Sequence, residues 1–242
     1  KMTYSLSEAS PTRWLAADPS KARTEIDREI VARLGLRGFV RLAWATVEGE
    51  REYRSNWHID VICEHLEAVS RGEIRRLLIN MPPRHMKSLC CSVFWPVWDW
   101  INEPWRQFLY VSYAHNLAIR DSVKCRRVIE SAWFQGTFGQ AFSLTGDQNT
   151  KIRYDNDQGG YRLCTSVDGQ LTGDGGDHIV VDDPNNVRKA ESVAIRERTN
   201  DWWDEAMQSR HNDPATGTFT VIQQRTNDRD LTGHILEKET RD

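Results

Sequence analysis

Residues 77–88 read LLINMPPRHMKS, and this stretch decides the fold class of the chain. The apolar run at residues 77–81 predicts a short buried strand, the two prolines predict a turn, and the residues from Met86 onward predict a helix. A phosphate-binding loop requires this order, because the loop N–H groups and the positive helix N-terminus then face one point. The stretch therefore predicts a phosphate site at the edge of an α/β sheet.

Two side chains in the loop fit that chemistry. In phosphate-binding loops a lysine brings a point charge to the β- and γ-phosphates, and the adjacent hydroxyl residue binds Mg²⁺. Lys87 and Ser88 occupy these two places, but Met86 stands where the usual pattern has glycine. The loop alone therefore leaves open a second interpretation, a proline turn that enters an amphipathic helix.

The segment HIVVDDP at residues 178–184 favours the nucleotide interpretation. An apolar strand ending in two carboxylates is typical of P-loop enzymes: Asp182 would hold Mg²⁺ through water, and Asp183 would orient or deprotonate the attacking water. Alone, the pair is equally compatible with a solvated strand end. Together with Lys87 and Ser88 it favours catalysis, because two apolar strands then end in complementary chemistry at the edge where open α/β sheets bind ligands.

The rest of the chain alternates apolar strands with helices. Further strands are predicted at residues 107–113, 161–167 and 218–224, and helices at residues 20–34, 56–71, 117–133 and 189–210, besides the helix after the loop, which is disturbed at Pro96. This alternation predicts an α/β domain with a mostly parallel central sheet flanked by helices on both faces. In the first helix Ile26, Ile30 and Leu34 share a face, and glycines at 35 and 38 break the pattern.

Composition and charge exclude several classes of protein. The 242 residues are 39% hydrophobic, which excludes a disordered chain, and 32 basic against 35 acidic residues argue against a simple polybasic nucleic-acid or membrane binder. Five cysteines without a C-x-x-C pair predict a reduced, intracellular protein. The most apolar run, at residues 89–98, is too short to span a bilayer, and the first residues show no apolar signal region.

Five segments together resemble a known family. They read RLLINMPPRHMKS from residue 76, FLYVSYAHNLAIRDS from 108, TSVDGQLTGDGGDHIVVDDP from 165, DWWDEAMQSR from 201 and QQRTNDRDLTGHIL from 223. Over residues 57–236 they are similar, in matching order, to the N-terminal motor domain of tailed-phage large terminase subunits. The resemblance implies an additional-strand, RecA-like P-loop ATPase at residues 56–242, with a helical N-terminal segment at residues 1–55 packed on it.

The same resemblance implies an activity and partners. The domain would hydrolyse ATP with Mg²⁺ to translocate duplex DNA into a procapsid. Its partners would be duplex DNA, further copies of the chain in a ring, a small terminase subunit and the capsid portal, in the host cell cytoplasm and without a membrane. Large terminases carry a nuclease domain after the motor, and this chain stops at Asp242, so we expect no DNA cleavage from it.

Two rival functions stay open at this point. One is another nucleic-acid-dependent P-loop ATPase, such as a helicase or repair motor, which shares the same chemistry but unwinds its substrate. The other is a P-loop scaffold without hydrolysis, favoured by Met86 in place of glycine and by Asp183 where relatives often carry glutamate.

The resemblance assigns roles residue by residue. Asp182 would bind Mg²⁺ together with Ser88, and Asp183 would be the catalytic carboxylate. Gln224 and Arg225 occupy the coupling motif, which senses the γ-phosphate, and relatives commonly have Thr-Arg there. The residues that would cradle the phosphates are Pro83, Arg84, His85, Met86, Lys87 and Ser88.

An adenine pocket is expected just upstream of the loop. Asn56, Trp57 and His58 begin the helix that precedes it. An aromatic ring there would stack on the base, and a polar side chain would read its edge. The alternative is that Trp57 packs in the core and His58 makes a hydrogen bond at the helix start.

Two further features are open between function and structure. An arginine supplied to a neighbouring subunit is expected, and the candidates are Arg120, Arg126, Arg127 and, inside the loop, Arg84. The alternative for the helical ones is a solvated basic face. The glycine-rich residues 168–177 are either a mobile loop that faces DNA or an ordinary connection.

Overall fold

The computed structural model describes residues 19–167, 169 and 173–239. Residues 1–18 of the predicted N-terminal segment, and residues 168 and 170–172 of the glycine-rich connection, lie outside the described residues. The helices are α1 (Pro19–Glu48), α2 (Trp57–Ser70), α3 (Trp95–Asn102), α4 (His115–Glu130), α5 (Ala132–Phe138), α6 (Val193–Trp202) and α7 (Leu231–Glu239). The strands are β1 (Arg76–Asn80), β2 (Gln107–Ser112), β3 (Leu144–Asn149), β4 (Arg153–Asn156), β5 (Tyr161–Ser166), β6 (His178–Asp182) and β7 (Thr218–Gln223).

All seven strands form one sheet in the order β1-β7-β6-β2-β5-β4-β3. The first five in this order run parallel, as predicted, and β4 and β3 are added antiparallel at one edge. Strand β7 lies between β1, which leads into the phosphate loop, and β6, which ends in Asp182. This extra strand between the two confirms the additional-strand P-loop fold.

Helices cover both faces of the sheet. Neighbouring side chains on each strand point to opposite faces, so one strand contributes apolar side chains to two cores. On β2, Phe108 and Tyr110 belong to the larger core, which the helices α1 to α5 complete. Leu109 and Val111 face a smaller core, which Trp203 closes from a π-helical turn after α6. Strands buried on both faces read as continuous apolar runs, and this makes β2, β6 and β7 readable in the sequence.

Two predicted helices are wrong in extent. The predicted helix at residues 117–133 is two helices, because Ser131 is extended (φ −65°, ψ 144°) and its side chain accepts the N–H of Phe134 as the N-cap of α5. The predicted helix at residues 189–210 is α-helical only from Val193, after an extended Ser192, and it ends in the π-helical turn Trp203–Met207. In both places a serine conformation outweighs the apolar periodicity.

The helix after the phosphate loop is disturbed before Pro96 rather than at it. Leu89–Phe94 form a π-helical turn, and α3 follows with Pro96 in its first turn. Proline has no N–H to donate to the carbonyl of Ser92, four residues earlier. That carbonyl instead accepts a hydrogen bond from Arg162 Nη2 at 3.0 Å. A buried side chain from β5 therefore supplies the donor that proline lacks.

Helix α1 bends at Gly35, whose φ of 58° and ψ of −142° are not helical. Glu67 on α2 packs against the bend, and its Oε1 accepts the N–H of Leu36 at 2.7 Å, which caps the second half of the helix. Only one of the two predicted glycine breaks therefore occurs. The predicted apolar face before the bend lies at the surface, since Ile26 is 56% and Leu34 37% exposed.

The described helices and cysteines can be compared with the expectations about membranes and disulfides. Among their helices, none combines the length and the apolar character that crossing a membrane requires. All five cysteines are free and buried. Burial raises the pKa of the Cys91 and Cys125 thiols, which keeps both protonated as small packing residues.

Candidate nucleotide site

The loop after β1 has the backbone of an anion cradle. Arg84 and Met86 both adopt left-handed conformations, with φ of 66° and 63°. Left-handed residues that alternate with others turn successive N–H groups into one concavity. Met86 therefore supplies the conformation that glycine supplies in the usual pattern, at a cost of roughly 1–3 kcal/mol. Helical geometry begins at Lys87, so the positive end of a helix faces the same loop.

Lys87 points from this loop to the two predicted carboxylates. Its side chain is buried, and Nζ lies 2.5 Å from Asp183 Oδ2 and 3.9 Å from Asp182 Oδ1. The lysine follows β1 and the acidic pair ends β6, and only β7 separates these strands. The fold thus brings together the cation and the carboxylates that sequence reasoning assigned to one site.

The carboxylate of Asp182 has the features of a cation ligand. Its Oδ2 accepts a hydrogen bond from Ser92 Oγ at 3.0 Å, whereas its Oδ1 is buried and has no hydrogen-bond partner within the described residues. Burial raises the pKa of this carboxyl to about 6; Lys87 opposes the shift, and neighbouring carboxylates add to it. A buried carboxylate oxygen without a partner is a ligand that Mg²⁺ satisfies. Ser88 lines the same small cavity, so these residues fit the ion.

Asp183 is held in an unusual conformation at the end of β6. Its φ is 47°, in the left-handed region that aspartate enters more readily than most residues. Its N–H donates to Ile222 O at 2.8 Å, and its carbonyl accepts from Tyr113 N at 3.2 Å. Its Oδ1 accepts the N–H of Gln224 at 3.1 Å. Contacts from both neighbouring strands therefore fix this carboxylate beside Lys87.

The two predicted coupling residues are placed differently. Gln224 contacts Asp183 through its backbone N–H, so the end of β7 is bonded directly to the candidate catalytic carboxylate. Arg225 Nε instead donates to Asp230 Oδ2 at 3.0 Å, just before α7. The structure thus brings Gln224 into the site and ties Arg225 to the start of the last helix.

The predicted adenine residues lie next to the phosphate loop. Trp57 is 75% exposed, so it does not pack in the core. Its ring centroid is 6.0 Å from that of His58, which is 5.6 Å from that of His85 in the loop. His85 is itself held by a 2.9 Å contact between its Nδ1 and Pro83 O. Asn56 precedes α2 without a side-chain capping bond. A ring face is therefore available beside the loop.

The helical arginine candidates separate into three environments. Arg120 is paired with Asp121 and lines the cavity beside the acidic pair. Arg126 Nη1 donates to Asn149 Oδ1 on β3 at 2.9 Å, away from the site. Arg127 is exposed, and no hydrogen bond or ion pair joins it to the site within the described residues. The three therefore do not form one functional face.

Three polar residues beside the acidic pair are not predicted by the sequence. Ser92, Asp121 and Arg162 line, together with Asp182, a cavity of about 30 Å³. Arg162 is fully buried, with its guanidinium carbon 4.0 Å from the centroid of the Tyr110 ring. For Ser92 the sequence does contain a signal: it lies four residues after Ser88, a spacing that places both on one helix face. Asp121 and Arg162 have no local signal, since only the packed sheet brings them to the site.

The described part of the glycine-rich connection is bonded to the sheet. Asp177 Oδ2 accepts the N–H of Gln107 at 2.8 Å, and Arg153 Nη1 donates to Asp174 Oδ1 at 3.3 Å. Residues 168 and 170–172 of the connection lie outside the described residues, and its two interpretations stay open.

Comparisons with known proteins establish the fold. No protein-family model matches the chain, and no curated protein gives a significant match. The crystal structure of the bacteriophage HK97 large terminase matches with a TM-score of 0.57 and 12% sequence identity, over 89% of this chain and 41% of that one. The chain thus spans less than half the length of the terminase that it matches. It has the fold of a phage large terminase, as the resemblance in the sequence implies.

Proposed function

We propose that this terminase-fold chain is the ATPase motor domain of a viral large terminase, which hydrolyses ATP to translocate duplex DNA into a procapsid. One observation carries the proposal: Lys87 of the phosphate loop lies 2.5 Å from Asp183 and 3.9 Å from Asp182. A strained, exposed loop joined to a partly buried acidic pair is an arrangement that binds phosphate and metal, and a stable fold alone does not require it.

The polar groups of the site fit ATP and Mg²⁺. The loop backbone and the helix N-terminus that follows it would hold the phosphates, and Lys87 would share its charge between Asp183 and the γ-phosphate. Asp182 and the Ser88 hydroxyl would hold Mg²⁺, directly or through water. Bound Mg²⁺ supplies charge stabilisation for the phosphoryl group as it is transferred. Trp57 offers its exposed ring face to adenine.

Asp183 would orient the attacking water and accept its proton. Its Oδ1 is fixed by the Gln224 N–H and its Oδ2 by Lys87. A carboxylate fixed on both oxygens presents its remaining lone pairs in one direction, which is what a general base needs. Because Gln224 directly follows β7 and precedes Arg225, a displacement of Asp183 during hydrolysis would reach Arg225 and the start of α7 through the backbone. This is the proposed link between hydrolysis and movement of DNA.

The proposed partners follow from the same role. They are duplex DNA, neighbouring copies of the chain in a ring, a small terminase subunit and the capsid portal, in the host cytoplasm. Arg84 and Arg127 are exposed, and neither makes a side-chain hydrogen bond or ion pair with a described residue. They are therefore the arginines best placed to enter a neighbour's site. A helicase would differ in its substrate, because it unwinds duplex DNA that a packaging motor moves intact.

A P-loop scaffold that does not hydrolyse ATP is the second candidate. The observation that favours it is the short contact of Lys87 with Asp183, in which the loop lysine is already neutralised. Mg·ATP binding is the first measurement, because a chain that does not bind the nucleotide at this loop cannot hydrolyse it there.

The test is calorimetric titration of Mg·ATP into the wild-type chain, Lys87→Ala and the control Lys151→Ala. Binding is measured because it needs no neighbouring subunit. We expect the wild type to bind and Lys87→Ala to lose about 100-fold in affinity, since charge-assisted contacts to phosphate are worth roughly 3 kcal/mol. Lys151 is exposed on the loop between β3 and β4, so its variant should bind like the wild type. No binding, or equal binding by all three, would show that the proline loop does not hold the nucleotide and would favour the scaffold instead.

A further inference from the structure

The second turn of α4 brings an arginine and an aspartate to the acidic pair. Helix α4 starts three residues after β2, and Ser112 at the end of β2 lies opposite Asp182 in the parallel register. Arg120 and Asp121 line the same 30 Å³ cavity as Asp182 and Asp183. The topology therefore places this pair at the site of its own subunit.

The guanidinium of Arg120 is held along one edge only. Its Nε and Nη2 donate to Oδ1 and Oδ2 of Asp121 at 2.8 and 2.9 Å, a two-point contact that fixes the plane of the group. Its Nη1 makes no hydrogen bond within the described residues, and the side chain is 53% exposed. Asp121 is 5% exposed, so its carboxylate is a fixed support. The free edge of the guanidinium is thus preorganised for an anion.

The charges around this pair favour a cation at the position of Arg120. The hydrogen bonds that Arg120 donates to Asp121 raise the pKa of the guanidinium above its ordinary value, and Asp182 and Asp183 raise it further. Lys87 contacts the same two carboxylates from the phosphate loop. Two cations therefore approach the acidic pair, one from the loop and one from α4.

We propose that Arg120 contacts the terminal phosphate of a nucleoside triphosphate in its own subunit, and that Asp121 is the positioning residue that holds it. The inference rests on the proposed nucleotide site and deepens it. It replaces the role in a neighbouring subunit that the sequence allowed for Arg120. Arginine suits the task, because its planar fork bonds a carboxylate along one edge and offers further N–H groups to a phosphate oxygen. The contact distinguishes ATP from ADP, since ADP lacks the γ-phosphate.

The test compares the affinities of Mg·ADP and of a Mg-bound ATP analogue with a non-hydrolysable β–γ bridge. Both are titrated into the wild-type chain, Arg120→Ala and the control Arg33→Ala. Arg33 is likewise an exposed arginine paired with a carboxylate on its own helix, Glu29, but it lies on α1. Arg120→Ala should lose about 10- to 100-fold in affinity for the analogue, as expected for a charge-assisted hydrogen bond, and no more than about threefold for ADP. Arg33→Ala should keep both affinities.

Asp121→Asn separates positioning from packing. The amide fits the same space but holds the guanidinium by one bond instead of two, so Arg120 remains but is less well oriented. We expect about a three- to tenfold loss for the analogue and an unchanged affinity for ADP. A structural role for Asp121 would lower the melting temperature and weaken both nucleotides alike, and that result would overturn its positioning role.

The outcomes distinguish this inference from the function on which it rests. A wild-type chain that binds neither nucleotide overturns the proposed function and the inference together. If the wild-type chain binds both nucleotides and Arg120→Ala has the same ratio of affinities for the analogue and for ADP, the inference alone is overturned. The titrations are repeated on dilution: an effect of Arg120→Ala that disappears when the chains dissociate assigns the arginine to a neighbour's site and overturns the intrasubunit contact.

Discussion

The two halves of the sheet differ in where backbone strain is found. The nucleotide half consists of β1, β7, β6 and β2 with the phosphate loop. The hairpin half consists of β3 and β4 with residues 157–160, and β5 lies between the two parts. Among the described residues, the non-glycine residues with positive φ all belong to the nucleotide half: Arg84, Met86 and Asp183. The hairpin half makes its tight turn with Gly159, at a φ of 89°. Strands β6 and β7 are buried throughout, whereas β3 is partly exposed.

This difference indicates that the nucleotide half serves binding and catalysis, whereas the hairpin half serves the stability of the fold. Each strained residue costs roughly 1–3 kcal/mol and persists only where its surroundings fix it. The buried strands β6 and β7 supply that rigidity to the nucleotide half. A glycine turn carries no such strain. Substitutions in the nucleotide half should therefore change binding and catalysis, and substitutions in the hairpin half should change stability alone.

The largest expected effect is on hydrolysis in Asp183→Asn. The amide keeps the size of the side chain but accepts no proton, so ATP turnover by the assembled chain should fall by about 10²- to 10⁴-fold. Mg·ATP affinity should stay within a few-fold, because Asp183 is not a proposed phosphate or metal ligand. Turnover is measured as phosphate release over a range of protein concentrations.

Asp155→Asn is the matched control in the hairpin half. Asp155 lies on β4 and is paired with Arg153 at 2.9 Å. Its variant should hydrolyse ATP like the wild type. Turnover in Asp183→Asn equal to that of the control would remove Asp183 as the general base and erase the distinction between the halves.

The second effect is on stability and belongs to the hairpin half. A Cβ at Gly160 would collide with the backbone carbonyl of Pro104, so Gly160→Ala forces the backbone to shift. We expect a loss of about 1–3 kcal/mol in the free energy of unfolding, measured by urea denaturation. Gly146→Ala on β3 meets no atom within 4 Å and should change stability by less than about 0.5 kcal/mol. A large drop in Mg·ATP affinity at unchanged stability in Gly160→Ala would contradict the separation.

The third effect is a pH dependence in the nucleotide half. The pKa of Asp182 is about 6, and Mg²⁺ requires the ionised carboxylate, so affinity for Mg·ATP should fall as the pH drops through 6 and be about tenfold weaker at pH 5. Asp182→Asn should bind more weakly and lose this step. The titration of the nucleotide itself is common to both chains and cancels in the ratio of their affinities. A ratio that stays constant from pH 5 to pH 8 would show that Asp182 does not bind the ion.

The same two halves show what a sequence can reveal. The nucleotide half is readable because its strands are continuous apolar runs and because Lys87, Ser88, Asp182 and Asp183 stand at their ends. The hairpin half is not, since LTGDQN and RYDN are short, polar strands without a clear alternation of apolar residues. Within the site, Asp121 stays hidden because a buried carboxylate inside a helix has the same local pattern as a solvated one. Only the packing of α4 against β2 and β5 distinguishes them.

The smallest expected effect is at Met86, and it tests whether the loop acts through its backbone. Met86→Gly removes the left-handed strain of roughly 1–3 kcal/mol but loses the packing of a side chain that contacts the larger core and adds backbone entropy to the unfolded chain. These terms nearly cancel, so stability should change by less than about 1 kcal/mol. Mg·ATP affinity should stay within about threefold, because backbone N–H groups make the phosphate contacts.

Met86→Val gives the opposite case at the same position. A β-branched side chain is strongly disfavoured at a φ of 63°, so the loop must leave its cradle conformation and Mg·ATP affinity should fall by about tenfold or more. If glycine weakens binding as much as valine does, the methionine side chain itself contacts the nucleotide. If valine binds as well as the wild type, the left-handed conformation is not needed for binding, and the strain in the nucleotide half has no part in its chemistry.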